Sequence, residues 1–264
     1  MSYLHALVLG IVEGIAEFLP ISSTGHLILA SKLLAVPQTE FVKSFEIAIQ
    51  LGAILSVVAL YWRELFVKWE VMKRVAAAFI PTAIVGFVLY KFIKQYLFSD
   101  SIVVWTLFLG GIFFIAFEKF HHPEPVEGRR EDEKNDKDSL EGITYKQAVG
   151  IGLVQSLAVV PGVSRAAATI LGGMALGVKR RTIVEFSFLL AAPTMAAATA
   201  LDLLKTAHSF TSTEFGALAV GFIVSFLVAI AAIKWLLGFV QTHDFKGFGV
   251  YRIVVAVLFW LLIV

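Results

Sequence analysis

Six apolar stretches, at about 44–62, 75–96, 102–118, 182–204, 214–238 and 248–264, each have the length that one helical crossing of a bilayer requires. A chain that carries them has few options, because inside hydrocarbon every peptide group must find its partner within the protein. Composition points the same way: 58% of residues are hydrophobic and 16% charged, and the mean hydropathy of +0.84 lies outside the range of soluble domains. The expected fold class is therefore an all-α polytopic membrane protein. Its net charge of +2 carries no message about nucleic acid, and the absence of cysteine removes disulfides, thiol catalysis and thiolate metal ligands. The first residues, Met1-Ser-Tyr-Leu-His5, lack the basic region of a cleaved signal peptide and read as mature protein.

Two further pairs of apolar segments, 4–19 with 21–36 and 145–158 with 164–178, are too short to cross. Sixteen helical residues rise only about 24 Å against a hydrocarbon core of about 30 Å. Pro20 with Ser22-Ser23-Thr24-Gly25 interrupts the first pair, and Pro161-Gly162 with Ser164 interrupts the second. Proline and glycine end helices and serine caps the next one, so each pair reads as a re-entrant helical hairpin turning back near mid-depth. The order is hairpin, three crossings, a charged segment at 119–144, hairpin, three crossings. An odd number of crossings per half inverts the second half, so residues 1–118 and 145–264 are expected to form an inverted repeat within one membrane domain. A weak echo accompanies the layout: Glu46 follows His26 by twenty residues, as Glu185 follows Arg165.

Lys and Arg set the orientation. With the first hairpin outside, sixteen of the 22 basic residues fall on the cytoplasmic side, among them Arg74, Lys146, Arg180, Lys246 and Arg252, and Arg165 is left within the membrane. Both termini are then external. The first hairpin opens outward, the second opens to the cytoplasm, and their tips meet near the bilayer centre.

The residues at those tips carry chemistry. Half-helices starting at Ser22/Ser23 and at Ser164 would aim unpaired N–H groups and positive dipole ends at one place, which suits an anion. Arg165 adds a planar charged fork suited to phosphate oxygens. Ser22, Ser23, Thr24, Ser164 and Thr169 supply hydroxyls, and His26 a group that moves protons near neutral pH. Glu13 and Glu17, at i and i+4, share one helix face. Two carboxylates ~6 Å apart repel by about 2–3 kcal/mol at an effective dielectric near 20, so they call for a proton, an arginine or a metal ion. A divalent cation, Mg²⁺ or Ca²⁺, bridging them to phosphate oxygens would answer both demands. The competing role for Arg165 is a structural ion pair with Glu13 or Glu17. Glu46, Gln50, Glu185 and Asp202 lie nearer span ends and read as supporting residues, and Pro123–Asp138 as a solvated loop of mixed charge without chemistry.

Glu13-Gly-Ile-Ala-Glu-Phe-Leu-Pro-Ile-Ser-Ser-Thr-Gly-His26 and Pro161-Gly-Val-Ser-Arg-Ala-Ala-Ala-Thr169 resemble the two signature motifs of the bacterial undecaprenyl-diphosphatase family linked to bacitracin resistance. The likeness extends to Phe45–Gly52 and Glu185–Ala191 and covers nearly the whole chain. It implies a hydrolase of the bacterial plasma membrane that removes one phosphate from the C55 isoprenoid diphosphate, with an outward-facing site and a divalent cation. By motif position it implies functional roles for Glu13, Glu17, Ser23, His26, Ser164, Arg165 and Thr169. Ala166 and Ala167 depart from the pattern, which argues against an essential hydroxyl at 166. The expected assignment is Glu13 and Glu17 on metal, Ser23 as nucleophile with Glu17 or His26 as base, His26 as later proton donor, and Ser22, Thr24, Ser164 and Thr169 on substrate. A directly activated water is the alternative nucleophile. Expected partners are the undecaprenyl diphosphate lipid and the bilayer, with no nucleic acid; a homodimer stays open. The rival class is an inverted-repeat transporter or polyprenyl-phosphate flippase using the same anion site.

Overall fold

The computed structural model describes residues 1–37, 39–92, 99–120, 139–206 and 212–263. Among them the chain is helical throughout: α1 (Tyr3–Ala16), α2 (Ser23–Leu33), α3 (Glu40–Leu60), the short α4 (Trp62–Phe66), α5 (Trp69–Phe92), α6 (Asp100–Phe120), α7 (Tyr145–Gln155), α8 (Arg165–Ala175), α9 (Arg180–Thr206), α10 (Ser212–Phe239) and α11 (Lys246–Ile263). Among the described residues five of these, α3, α5, α6, α9 and α10, are long and apolar enough to cross a membrane. The sixth expected crossing is α11, of 18 residues. Most of the 119–144 segment, at 121–138, lies outside the described residues.

The two broken pairs form where the sequence places them. Chain turns at 17–22 and 156–164 separate α1 from α2 and α7 from α8, each too short to span. Ser22 caps α2, its Oγ accepting from Gly25 N at 3.5 Å, and Ser164 caps α8, its Oγ accepting from Ala167 N at 3.2 Å. Both capping serines take an unusual positive φ, 74° and 77°. Such a conformation costs a non-glycine residue about 1–3 kcal/mol, so the same strained cap occurs at both tips.

The hairpins are exchanged between the halves. Helix α1 packs on α10, whereas α7 packs on α5, and α10 and α5 hold corresponding places in the two halves. Likewise α3 packs on α10 as α9 does on α5, while α3 meets α9 and α6 meets α11. Small residues permit the close approach. A Cβ at Gly10 would lie 2.7 Å from the carbonyl oxygen of Gly221, and one at Gly14 would lie 2.8 Å from that of Ser225. In the other half Gly152 presses on the Ala78 carbonyl, and Thr82 Oγ1 donates to Gly152 O at 2.9 Å. Away from the tips, Arg180 grips the buried Glu118 carboxylate with bonds of 2.9 and 2.8 Å, and Phe245 N donates to the same group at 3.0 Å, tying α6, α9 and the start of α11 together.

One charged residue is not where the sequence reading puts it. Arg252, counted with the cytoplasmic cations, is fully buried in the protein interior. It sits a turn and a half into α11, on the face packed against α6, where main-chain carbonyls rather than water surround it.

Gly152→Ala should lower the detergent melting temperature, since overpacking typically costs about 1–3 kcal/mol, while Gly86→Ala, whose Cβ would meet nothing within 4 Å, should leave it unchanged. Equal melting of the two variants would contradict the close α5–α7 contact.

Candidate functional site

A cavity of about 260 Å³ opens between the two tips. The first hairpin contributes Glu17, Ser22, Ser23 and Thr24; the second contributes Pro161, Gly162, Ser164 and Arg165. Thr82 of α5, Gln155 of α7, Gln50 of α3 and Thr194, Met195 and Ala198 of α9 complete the wall. Six of the residues expected at the site from sequence therefore face one space.

Their geometry is specific. Ser23 Oγ donates to Glu17 Oε2 at 2.6 Å. Arg165 Nη2 donates to Glu17 Oε1 at 3.3 Å, and Arg165 Nη1 to the main-chain oxygen of Ser187 at 2.8 Å. The Glu17 carboxylate thus lies between a hydroxyl and a guanidinium, with the side chains of Glu17 and Arg165 only 6% and 11% exposed. The ion pair considered as a structural alternative for Arg165 is present, and it lies on the cavity wall. In the first turn of each half-helix the leading N–H groups have no carbonyl one turn earlier to bond. They belong to Ser23 and Thr24 on one side and to Arg165 and Ala166 on the other.

Thr169 is fully buried behind Arg165. Its Oγ1 lies 2.9 Å from Gln155 Oε1 and 2.8 Å from Arg165 O. The Gln155 amide in turn donates to Thr82 Oγ1 at 3.0 Å and to Thr194 Oγ1 at 3.3 Å. This closed network backs the second tip, so Thr169 supports the wall from behind and does not line it.

Glu13 and His26 are placed differently from the rest. Glu13 is fully buried one turn below Glu17, and both of its carboxyl oxygens lack a hydrogen-bond partner. Its charged neighbours are Glu17, Glu46 and Arg165. An orphaned carboxylate beside a second one is a donor set that fits a divalent cation. Among the described residues no cluster of three or more His, Cys, Asp or Glu side chains stands ready for a metal. His26 does not line the cavity: its Nδ1–H donates to Ser22 O at 2.7 Å, and in the neutral ring Nε2 accepts from Tyr251 O–H at 2.8 Å. The two rings also stack, 5.5 Å between centroids. Both ring nitrogens are thus engaged, and neither bonds Ser23 or Glu17.

Of the supporting residues, Gln50 lines the cavity, Glu46 receives Ser31 Oγ at 3.4 Å, and Glu185 pairs with Arg181 at the start of α9, away from the tips. The side chain of Asp202 lies outside the described residues. Sequence reasoning missed Tyr251, Arg252, Gln155 and Thr106. Arg252 Nη1 donates to Pro20 O at 3.3 Å and Val163 O at 3.0 Å, and Nη2 to Gly162 O at 2.9 Å and Thr106 O at 3.0 Å. Thr106 Oγ1 adds a bond of 2.7 Å to Pro161 O. Gly162 adopts a φ of +88°, and a Cβ there would run into Thr106, so only glycine fits the turn. The one signal in the sequence is an arginine four residues into an apolar span, which the sequence reading counts with the cytoplasmic cations.

The chain is similar in sequence, over nearly its whole length, to a set of proteins of one name. The family model described as bacitracin resistance protein BacA matches residues 6–258. A protein named undecaprenyl-diphosphatase from Sulfurihydrogenibium sp. is 50% identical over 261 residues, covering 99% of both chains. Proteins of the same name from Aquifex aeolicus and Bdellovibrio bacteriovorus are 49% and 45% identical, the first covering 98% of each chain and the second all of this chain and 97% of its own. With the family model spanning both tips and every crossing between them, the chain belongs to the bacitracin resistance protein BacA family.

Proposed function

We propose that this membrane protein hydrolyses undecaprenyl diphosphate to undecaprenyl phosphate and inorganic phosphate, recycling the carrier lipid for cell-wall synthesis and thereby conferring resistance to bacitracin. The observation that carries the reading is the Ser23–Glu17–Arg165 constellation on the cavity wall, a hydroxyl already donating to a carboxylate beside a guanidinium. Relatives of nearly full length bear the name undecaprenyl-diphosphatase, and the chemistry of the tips agrees with that name.

In this mechanism the diphosphate sits between the two half-helix starts, with its polyprenyl tail leaving past Met195 and Ala198. Glu17 takes the Ser23 proton as Oγ attacks the terminal phosphorus; the bond to the bridging oxygen breaks and its electron pair leaves with the lipid phosphate. Water then releases phosphate from Ser23. Arg165 and the exposed N–H groups neutralise charge on the transferring phosphoryl group. Ser22, Thr24 and Ser164 orient its oxygens. Glu13 and Glu17 would hold a divalent cation, which would screen the diphosphate oxygens. His26, fixed between Ser22 O and Tyr251, is a proton donor only after a change of partner.

The site is proposed to open to the external face of the plasma membrane. With most basic residues on the cytoplasmic side, the first hairpin, which brings Glu17, Ser22, Ser23 and Thr24 to the cavity, enters from outside. The sequence contains no cysteine, so a single Ala198→Cys should react with a membrane-impermeant maleimide added outside intact cells. Labelling only after the cytoplasmic face is exposed would reverse the orientation.

Phosphate release from a long-chain isoprenoid diphosphate by detergent-purified protein is the direct test, and a chelator should suppress it, with activity restored by Mg²⁺ or Ca²⁺. Arg165→Ala and Glu17→Gln should each lower kcat by at least about 10²-fold, the size of effect seen when one charge-stabilising or acid–base group is removed. Ser23→Ala should abolish turnover and the trapping of phosphoserine; near-normal turnover by this variant would hand the nucleophile's role to water. Wild-type protein that binds the lipid yet releases no phosphate would overturn the hydrolase and favour a carrier.

A further inference from the structure

Among the described residues Arg252 is the largest fully buried side chain, and nothing in the proposed reaction uses it. Its guanidinium reaches both hairpin turns at once: Pro20 O in the first, Gly162 O and Val163 O in the second, with Thr106 O of α6 as the fourth acceptor. These bonds lie between 2.9 and 3.3 Å. A fifth, from Nε to Leu107 O at 3.5 Å, is long. Among the described residues the aromatic ring in cation–π range is that of Phe114, 5.8 Å away.

Two features distinguish this arrangement from an ordinary structural arginine. Among the described residues no carboxylate forms a salt bridge with Arg252, in contrast to Arg165 on Glu17 and Arg180 on Glu118. Carbonyl dipoles solvate the cation and leave its net charge in place, and burying such a charge away from water is costly. Moreover, Gly162, one of the residues it holds, lines the cavity, and Val163 and Pro20 lie one and two residues before the capping serines Ser164 and Ser22. Drawing the turn carbonyls toward α11 leaves the opposite side of each turn, with its N–H groups, for the cavity. The neighbouring residue serves the same tips, as Tyr251 holds His26.

We propose that Arg252 is a positioning residue of the divided site. By bonding both turns with one planar fork it keeps Ser23 of the first tip in register with Arg165 of the second, and its uncompensated charge adds to the field on a diphosphate bound between them. A fork with five N–H donors can reach four carbonyls in three segments. A lysine, with three donors on a compact head, keeps the charge and loses the register.

The inference rests on the hydrolase reading, which wild-type phosphate release checks separately in the same preparation. Arg252→Lys and Arg252→Gln are purified in detergent, their melting compared with wild type, and their kcat and KM measured on a long-chain isoprenoid diphosphate. Misplacing reacting groups by ~1 Å can cost about 10²-fold, so folded Arg252→Lys should lose about tenfold and Arg252→Gln about 10²-fold or more in kcat, with KM within about threefold of wild type. Tyr251→Phe should melt as wild type does. Wild-type kcat in Arg252→Lys would overturn the register argument. A loss confined to KM would make Arg252 a binding charge alone, and failure of both variants to fold would make it a purely structural bond; either result overturns the proposal.

Discussion

Everything at the centre of this molecule depends on how two broken helices satisfy their peptide groups inside the protein. Each break frees N–H groups at the start of one half-helix and carbonyls at the end of another. The strained serine caps take part of the first debt, and Arg252 with Thr106 takes much of the second. Because one guanidinium accepts the burden of both turns, the tips cannot move apart without exposing buried polar groups. The cavity is the space left on the side that these bonds do not fill.

The two halves share a framework and divide the chemistry. Aligning the capping serines, Ser22 with Ser164, puts Ser23 opposite Arg165, Glu17 opposite Val159, Glu13 opposite Gln155 and His26 opposite Ala168. The first hairpin therefore carries the carboxylates, the hydroxyl and the histidine, and the second carries the cation. Where the first half has Glu13 with orphaned oxygens, the second has a saturated amide network through Gln155, Thr82, Thr194 and Thr169. A pair of identical tips would have faced like charges across the cavity. These tips bear opposite ones, Glu17 facing Arg165, and a diphosphate needs cations on one side and an acceptor for a hydroxyl proton on the other.

Much of this was legible in the sequence because bilayer physics leaves a strong trace. Span lengths, the Pro/Gly breaks and the capping serines are local signals, and the structure starts α2 at Ser23 and α8 at Arg165, where they predict. The meeting of Glu17, Ser23 and Arg165 followed from the expectation that both tips reach mid-depth. The exceptions share one cause. His26 looked like a partner for Ser23 because it lies three residues away; its ring instead bonds Ser22 O and Tyr251, 225 positions further on. Arg252 counts as cytoplasmic by its place along the chain, a one-dimensional measure, whereas the position of its guanidinium depends on which neighbour its side chain enters.

The sequence by itself determined that the chain is an all-helical membrane protein with two broken hairpins bearing acidic, hydroxyl and basic residues, since hydropathy, helix length and capping act over a few residues. Only the tertiary structure decided that α1 docks on α10 while α7 docks on α5, that Thr169 stands behind the wall, and that Arg252 joins both tips. Apart from the Thr169–Gln155 bond, which links residues 14 apart, those are contacts between segments about 70 to 232 residues apart. They follow from how small residues let helices approach and from which buried carbonyls are left needing a donor, and neither condition exists until the helices have packed.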